Sequence, residues 1–222
     1  MTQEQWTAVD GYISEVMVKQ DSALSAALQS SAENGLPHIN VAANQGKLLQ
    51  LLAQTVGAQR ILEIGTLGGY STIWLARALP AGGKLITLEY ESKHAKVAEA
   101  NIARAGLSGV VEIRVGKALD NLPKLAEEKL GPFDFIFIDA DKENIPAYFD
   151  WSLKLSRKGT LIVVDNVIRK GAIIDAASTD ASIQGVRKFN ERVAAEPRVS
   201  ATTIQTVGSK GYDGLAFVRV VS

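Results

Sequence analysis

Two apolar runs of this chain each end in an acid, and these acids are the residues best suited to chemistry. Residues 135–138 lead to Asp139, and residues 161–164 lead to Asp165, with Asn166 directly after it. Runs that are apolar at every position are typical of strands buried on both faces of a parallel sheet. If the two strands are neighbours, two carboxylates and one amide oxygen meet at one edge of the sheet.

A lysine adds to this group, because Lys142 follows Asp139 by three residues. Three hard oxygen donors favour Mg²⁺, with Ca²⁺ or Mn²⁺ as alternatives, over softer metals. An ammonium beside them is typical of a metal-assisted active site. The competing interpretations are a solvated surface lysine and an Asp165-Asn166 pair that caps a turn.

Composition limits the partners of this chain. It has 222 residues, 46% of them hydrophobic, with 24 acidic against 24 basic side chains and no cysteine. Zero net charge without a basic cluster gives no reason to expect nucleic-acid binding. Without cysteine there are no disulfides and no thiolate zinc sites. No signal peptide and no run of about 20 apolar residues is seen, so we expect a cytoplasmic protein without a membrane partner.

The apolar pattern changes near residue 59. Residues 1–58 are predicted to form a helical N-terminal cap, and residues 59–222 an α/β core within the same single domain. Alternating strands and helices predict right-handed βαβ units and a parallel sheet covered by helices on both faces. The predicted strands are 60–64, 84–90, 110–115, 133–139 and 160–165; the predicted core helices are 70–78, 93–105, 119–128, 145–155 and 183–195.

The C-terminal tail has a different pattern. Residues 199–207 and 215–221 are β-rich and too close together for a crossover helix, so an antiparallel hairpin is predicted, joined by the glycine-rich residues 208–214. Residues 169–181 are the longest predicted loop, and they follow the second acid-ended strand.

The first core strand leads into a glycine-containing turn at the edge where α/β sheets bind ligands. The turn, Glu63-Ile-Gly-Thr-Leu-Gly-Gly-Tyr-Ser71, does not match the Gly-x-Gly-x-x-Gly dinucleotide fingerprint. Glu63 would repel a pyrophosphate and favour a cationic ligand such as S-adenosylmethionine. Glu89, at the end of the next strand, could accept hydrogen bonds from ribose hydroxyls. Taken singly, the glycines could form only a tight turn, and Glu89 only a solvated strand end.

These motifs resemble those of the cation-dependent O-methyltransferases, the family of the caffeoyl-coenzyme A and catechol O-methyltransferases, and most of all its bacterial members. The resemblance covers the chain from about residue 37 to the C-terminus and rests on the glycine turn, Ile138-Asp-Ala-Asp-Lys142 and Val164-Asp-Asn166. It implies a Rossmann-like class I methyltransferase fold with a seven-stranded, mostly parallel sheet. It also implies methyl transfer from S-adenosylmethionine to a vicinal dihydroxy aromatic, and a homodimer.

The resemblance also assigns roles to matching positions. A divalent metal would lie at Asp139, Asp165 and Asn166, and Lys142 would be the base. Asp139 would serve both the metal and the methyl donor. The methyl-donor site would comprise Glu63, Gly65, Thr66 and Ser71 at the methionine portion, Glu89 at the ribose, Ala118 beside the adenine and Val41 as a closing side chain.

One position departs from the family pattern. Plant-type relatives carry an aromatic residue three positions after the asparagine, where this chain has Arg169, followed by Lys170. These basic residues would suit an acidic acceptor, or they belong to an exposed loop. Tyr212 would reach a pocket, of its own or of a neighbouring subunit, or serve the hairpin turn alone.

Three other functions compete. A methyltransferase acting on RNA or protein would be expected to show an Asn-Pro-Pro-Tyr-like motif or a basic face, and neither is present. A non-enzymatic nucleotide-binding module would need neither the metal ligands nor the lysine. An NAD-dependent oxidoreductase disagrees with the glycine pattern.

Overall fold

The structure, a computed structural model, describes residues 2–222. Within this range the three-layer α/β fold has seven strands and eight α-helices. The strands are β1 (Arg60–Ile64), β2 (Lys84–Glu89), β3 (Val111–Val115), β4 (Phe133–Ile138), β5 (Ser156–Asp165), β6 (Val199–Gly208) and β7 (Gly211–Val220). The helices are α1 (Gln3–Val16), α2 (Ser22–Glu33), α3 (Ala43–Thr55), α4 (Tyr70–Ala76), α5 (Ser92–Arg104), α6 (Ala118–Glu127), α7 (Ile145–Lys154) and α8 (Ala181–Ala194).

All seven strands form one sheet in the order β3-β2-β1-β4-β5-β7-β6. Strands β1 to β5 pair in parallel, and β7 is antiparallel to both β5 and β6. This arrangement confirms the predicted α/β fold with its C-terminal hairpin. It also makes β4 and β5 direct neighbours, which is the condition for their terminal acids to meet.

Alternate residues of the central strands serve two separate cores, which explains the continuous apolar runs. Phe135 and Phe137 face the cluster formed with α2, α3 and α4, whereas Ile136 and Ile138 face the cluster formed with α6, α7 and α8. All four side chains are fully buried. The two-faced burial therefore follows from the period of two in a strand.

The predicted helical character of residues 1–58 agrees with α1, α2 and α3. The side chain of Asp21 caps α2 by accepting a hydrogen bond from the backbone N–H of Leu24 at 3.0 Å. Leu24 and Leu49 are fully buried against the core. The division of the chain into cap and core at residue 58 stays a prediction. No helix within residues 2–222 combines the length and apolar character needed to cross a membrane.

Two predicted loops are corrected. Strands β6 and β7 extend until Gly208 pairs with Gly211, so the expected linker 208–214 shrinks to a two-residue turn. Gly214 had suggested a loop, but it lies inside β7, where a Cβ atom would overlap the side chain of Ile168. The second loop, 169–181, begins with 3₁₀ turns between Arg169 and Ile174, which are interrupted at Lys170 and Gly171, where φ is 56° and 86°.

Candidate active site

A cavity of about 870 Å³ lies beyond the carboxyl ends of β1, β2 and β4. This is the edge at which open α/β sheets bind ligands. The structure brings most of the sequence-predicted site residues into its wall: Val41, Gly65, Thr66, Ser71, Glu89, Ala118, Asp139, Lys142 and Asn166. We call residues 65–71 with Glu89 the glycine-turn end of the cavity, and Asp139, Lys142, Asp165 and Asn166 the acid end.

Gly65 connects the two ends because it brings β1 against β4. Its φ of 101° is rarely adopted by other residues, and a Cβ atom there would overlap the carbonyl oxygen of Asp139. The backbone N–H of Asp139 also donates to the carbonyl of Ile64 at 2.9 Å. A glycine is therefore required for the turn and the acid to share one cavity.

Glu89 organises the glycine-turn end through backbone N–H groups. One of its carboxylate oxygens accepts hydrogen bonds from Thr66 and Leu67 at 3.1 and 2.7 Å, and the other accepts one from Glu91 at 2.9 Å. His94 Nδ1 lies 3.4 Å from Glu89 Oε1. These contacts hold the carboxylate in the cavity wall with its charge distributed over several donors, and its predicted contact with a ribose stays a prediction.

Glu63 lies behind the cavity wall rather than in it. Its side chain is fully buried and accepts hydrogen bonds from the hydroxyls of Ser71, Thr72 and Thr87 at 2.6, 2.5 and 2.7 Å. Burial raises the pKa of this carboxyl to about 7, although the three hydroxyls act in the opposite direction. Glu63 thus fixes α4 against β1 and β2, and it reaches the cavity only through residues such as Ser71.

The acid end contains two carboxylates and one lysine. Lys142 Nζ donates to Asp139 Oδ1 at 2.9 Å, and Lys142 is only 9% exposed. Asp165 is 6% exposed. Burial first, and then the charge of Asp139, raise the pKa of Asp165. The pair therefore concentrates negative charge that one lysine offsets only in part.

The remaining oxygens at the acid end suit a hard cation. Among residues 2–222, no side chain donates a hydrogen bond to Asp139 Oδ2 or to the amide oxygen of Asn166. Asn166 has a φ of 58°, which a small polar residue tolerates. No group of three His, Cys, Asp or Glu side chains in the described chain could hold a metal, so any site here combines two carboxylates with an amide. That donor set fits an oxygen-preferring divalent cation.

One contact of the acid end was not predicted. Gln45 Nε2, in the first turn of α3, donates to Asp165 Oδ2 at 2.8 Å, while Asp165 Oδ1 accepts from the backbone N–H of Asn166 at 2.7 Å. No local pattern relates positions 45 and 165, which are 120 residues apart. Only the docking of α3 over the sheet edge brings them together.

Asp141 and Tyr212 have contacts within the chain. Asp141, beside the acid end, accepts hydrogen bonds from Asn144 and from the Tyr148 hydroxyl, both at 2.5 Å. Tyr212 lies in β7, where its hydroxyl bonds to Gln205 on β6, and its ring lies beside Gly171. Tyr212 is not part of the cavity wall described above. Its structural role is therefore in the hairpin.

Comparison with known proteins agrees with this geometry. Residues 14–220 match the family model described as O-methyltransferase. The chain is 57% identical to a catechol O-methyltransferase of Niastella koreensis, covering 99% of this chain and 100% of that protein. It is 52% identical to a catechol O-methyltransferase of Mycobacterium tuberculosis, covering 96% and 94%.

Solved structures show the same similarity. An O-methyltransferase from Bacillus cereus in complex with SAH superimposes with a TM-score of 0.97 at 59% identity, covering 99% of this chain and 100% of that one. An O-methyltransferase from Streptomyces achromogenes in complex with SAM gives a TM-score of 0.97 at 53% identity, with full coverage of both chains. The chain therefore belongs to the O-methyltransferase family, and it is an enzyme that uses S-adenosylmethionine as its methyl donor.

Proposed function

We propose that this enzyme transfers a methyl group from S-adenosylmethionine to one hydroxyl of a vicinal dihydroxy aromatic, with the help of a divalent cation. The observation that carries the proposal is the shared cavity wall. Gly65 and Glu89 at one end, and Asp139, Lys142 and Asn166 at the other, surround the same space.

The glycine-turn end is the proposed site of the methyl donor. Gly65 and Thr66 would lie along the methionine portion, with Ser71 at the first turn of α4. Glu89 would accept hydrogen bonds from the ribose hydroxyls, Ala118 would lie beside the adenine, and Val41 would close the cavity from the N-terminal side. Glu63 would support this end indirectly, because its carboxylate already accepts the hydroxyl of Ser71 at 2.6 Å.

The acid end is the proposed metal site, with Asp139, Asp165 and Asn166 as ligands and Mg²⁺ as the preferred ion. A bound divalent cation supplies Lewis acidity and a template for two neighbouring oxygens. The side chains of the chain fit this task because Asp139 Oδ2 and the amide oxygen of Asn166 have no described donor. Asp165 is held in place from both sides by Gln45 and the Asn166 backbone.

Lys142 is the proposed base. A phenol with a pKa of about 10 is mostly protonated at neutral pH, so its oxygen must lose a proton to become a good nucleophile. Lys142 Nζ is held by Asp139 at 2.9 Å, within the cavity wall. In its neutral form it would accept the hydroxyl proton, while the acceptor oxygen displaces the methyl group from sulfur in line.

A catechol-type acceptor is supported by two considerations. Two relatives that match nearly the whole chain are named catechol O-methyltransferases. Two adjacent oxygens on one ring also suit a cation whose protein ligands, two carboxylates and one amide, leave coordination positions open.

The decisive experiment compares catechol with phenol, using labelled S-adenosylmethionine with Mg²⁺ or with excess EDTA. We expect methylation of catechol with Mg²⁺, little of phenol, and loss of activity with EDTA that added Mg²⁺ restores. Titration calorimetry of S-adenosylmethionine with and without EDTA should show that donor binding survives metal removal. Full activity in EDTA would overturn the proposed role of the metal. Transfer of the labelled methyl group to RNA or protein, but not to catechol, would overturn the proposed acceptor.

A homodimer is proposed as well. The exposed side chains of α1 and β6, two elements that pack together, include several apolar residues. They are Val9, Tyr12 and Val16 on α1 and Ile204 and Val207 on β6, and the exposed Met17 directly follows α1. Burial of such a surface against a second copy would be favourable, and analytical ultracentrifugation would distinguish a dimer from a monomer.

A further inference from the structure

Arg169 belongs to the wall of the active-site cavity, three residues after Asn166. Its backbone is fixed, because the N–H groups of Ile168 and Arg169 both donate to Asp213 Oδ1 at 2.9 and 3.0 Å. Asp213 lies on β7, so the sheet itself anchors this part of the loop. The half-buried Arg169 side chain thus extends from a backbone whose position beside the acid end is fixed.

The guanidinium of Arg169 has no partner inside the described chain. Within residues 2–222, no carboxylate lies within 4.0 Å of it, and it donates no hydrogen bond. The cavity wall does contain acids, but most of them have other partners. Asp139 is bonded to Lys142, Asp141 to Asn144 and Tyr148, and Glu89 to three backbone N–H groups, while Glu91 and Glu143 are exposed.

An unpaired arginine in a cavity wall favours an anionic ligand. The planar guanidinium binds a carboxylate through two parallel hydrogen bonds, a geometry that a lysine ammonium cannot reproduce. The neighbouring Lys170 provides an internal comparison, because it has a similar backbone, with φ of 56° against 51°, but is exposed and is not part of the cavity wall. Of these two adjacent basic side chains, only Arg169 therefore belongs to the cavity wall.

We propose that Arg169 selects acceptors that carry a carboxylate, so that the preferred substrate class is a catechol with a carboxylate on the ring or on a short side chain. This inference rests on the proposed catechol methylation. The two adjacent hydroxyls would lie at the acid end, and the carboxylate would point away from them toward the guanidinium. Such a substrate satisfies both charge requirements of the cavity at once.

The test compares kcat/KM for protocatechuate and caffeate, which carry carboxylates, with catechol and dopamine, which do not. We expect the parent enzyme to prefer the carboxylates over catechol by about tenfold, the typical value of a hydrogen-bonded charge pair. Arg169→Gln should remove this preference, Arg169→Lys should retain part of it, and Arg169→Glu should shift the preference toward dopamine. The matched control, Lys170→Gln, should leave the ratio of protocatechuate to catechol within about twofold of the parent, as expected of a solvated charge.

A binding measurement separates recognition from turnover. The dissociation constants of protocatechuate and catechol, measured by calorimetry with S-adenosylhomocysteine and Mg²⁺ present, should differ in the parent and converge in Arg169→Gln. If the parent methylates catechol and its preference does not depend on Arg169, the inference is overturned while the proposed function stands. If the parent methylates neither catechol nor its carboxylated forms, the proposed function itself fails.

Discussion

Glu89 at the glycine-turn end of the cavity, and Glu63 behind the wall at this end, each accept three hydrogen bonds from the chain's own hydroxyls or backbone N–H groups. At the acid end, Asp165 also accepts three hydrogen bonds, from Gln45 and Asn166, but Asp139 has one donor among the described side chains and the amide oxygen of Asn166 has none. Both ends contain buried or half-buried carboxylates in or directly behind the cavity wall. The two ends differ in whether every carboxylate and amide oxygen accepts a hydrogen bond from the described chain.

This difference indicates which end is complete before any ligand binds. Buried carboxylates are stable when donors surround them, and they are costly when another carboxylate is near and donors are few. The glycine-turn end is therefore preorganised by the fold, whereas the acid end keeps oxygens that are free to bind the proposed cation. Variants at the two ends should accordingly affect different ligands.

The largest effect is expected for Asp165→Ala. Loss of this carboxylate should lower metal-dependent kcat by about a thousandfold, because a catalytic cation contributes several kcal/mol to the transition state. S-adenosylmethionine binding, measured by calorimetry, should change by less than about threefold, since Asp165 lies outside the glycine-turn end. An equal loss of donor binding would mean that the two ends are not independent.

Lys142→Ala should come next, with a loss of about a hundredfold in kcat, as expected for a general base. Metal and donor affinities should change much less. An unchanged rate at neutral pH would exclude Lys142 from proton transfer.

Glu63 offers a test by pH that concerns stability rather than turnover. Its pKa is about 7 in the folded protein against 4.5 as the ordinary value, so the folded state binds more protons and ionisation of Glu63 lowers stability as pH rises from 4.5 to 7. Glu63→Gln removes this ionisation. Between pH 5 and pH 7, the free energy of unfolding of the parent should therefore fall by about 2 kcal/mol relative to that of the variant, as measured by urea denaturation. A constant difference across this range would contradict the raised pKa.

Glu89→Gln should weaken S-adenosylmethionine binding by about tenfold to thirtyfold, because a neutral amide accepts fewer and weaker hydrogen bonds than a carboxylate. Mg²⁺ affinity, measured by calorimetry without the donor, should stay within about twofold. Glu89→Gln would then affect the methyl donor and spare the metal, whereas Asp165→Ala would affect the metal and spare the methyl donor. Loss of Mg²⁺ binding instead would contradict the division into two ends.

The smallest effect is expected for Gln45→Ala, which removes the amide that holds Asp165 Oδ2. Partners that orient a metal ligand typically contribute about tenfold to metal affinity. Electron paramagnetic resonance of Mn²⁺ would measure this loss of metal affinity without turnover. Gln50→Ala, at a buried polar position on the same helix that lies outside the acid end, is the matched control.

Local patterns predicted much of the fold. The five parallel strands were located to within four residues at each end, since a strand buried on both faces is a continuous apolar run between turn residues. The pattern also predicts the hairpin but makes its linker too long, because Gly208, Gly211 and Gly214 are residues typical of a loop. Glycines occur in these strands where side chains of other elements approach closely, and those side chains are distant in the sequence.

The sequence by itself determined the α/β class, the acids at the ends of two strands and the motifs of a methyltransferase, because each of these depends on residues close together in the chain. The tertiary structure alone decided that β4 and β5 are neighbours, that Glu63 faces hydroxyls behind the cavity wall, and that Gln45 reaches Asp165. Contacts of this kind join residues distant in the chain, and they exist only once helices have docked on the sheet. For the same reason, only the tertiary structure decided that no carboxylate of residues 2–222 pairs with the guanidinium of Arg169.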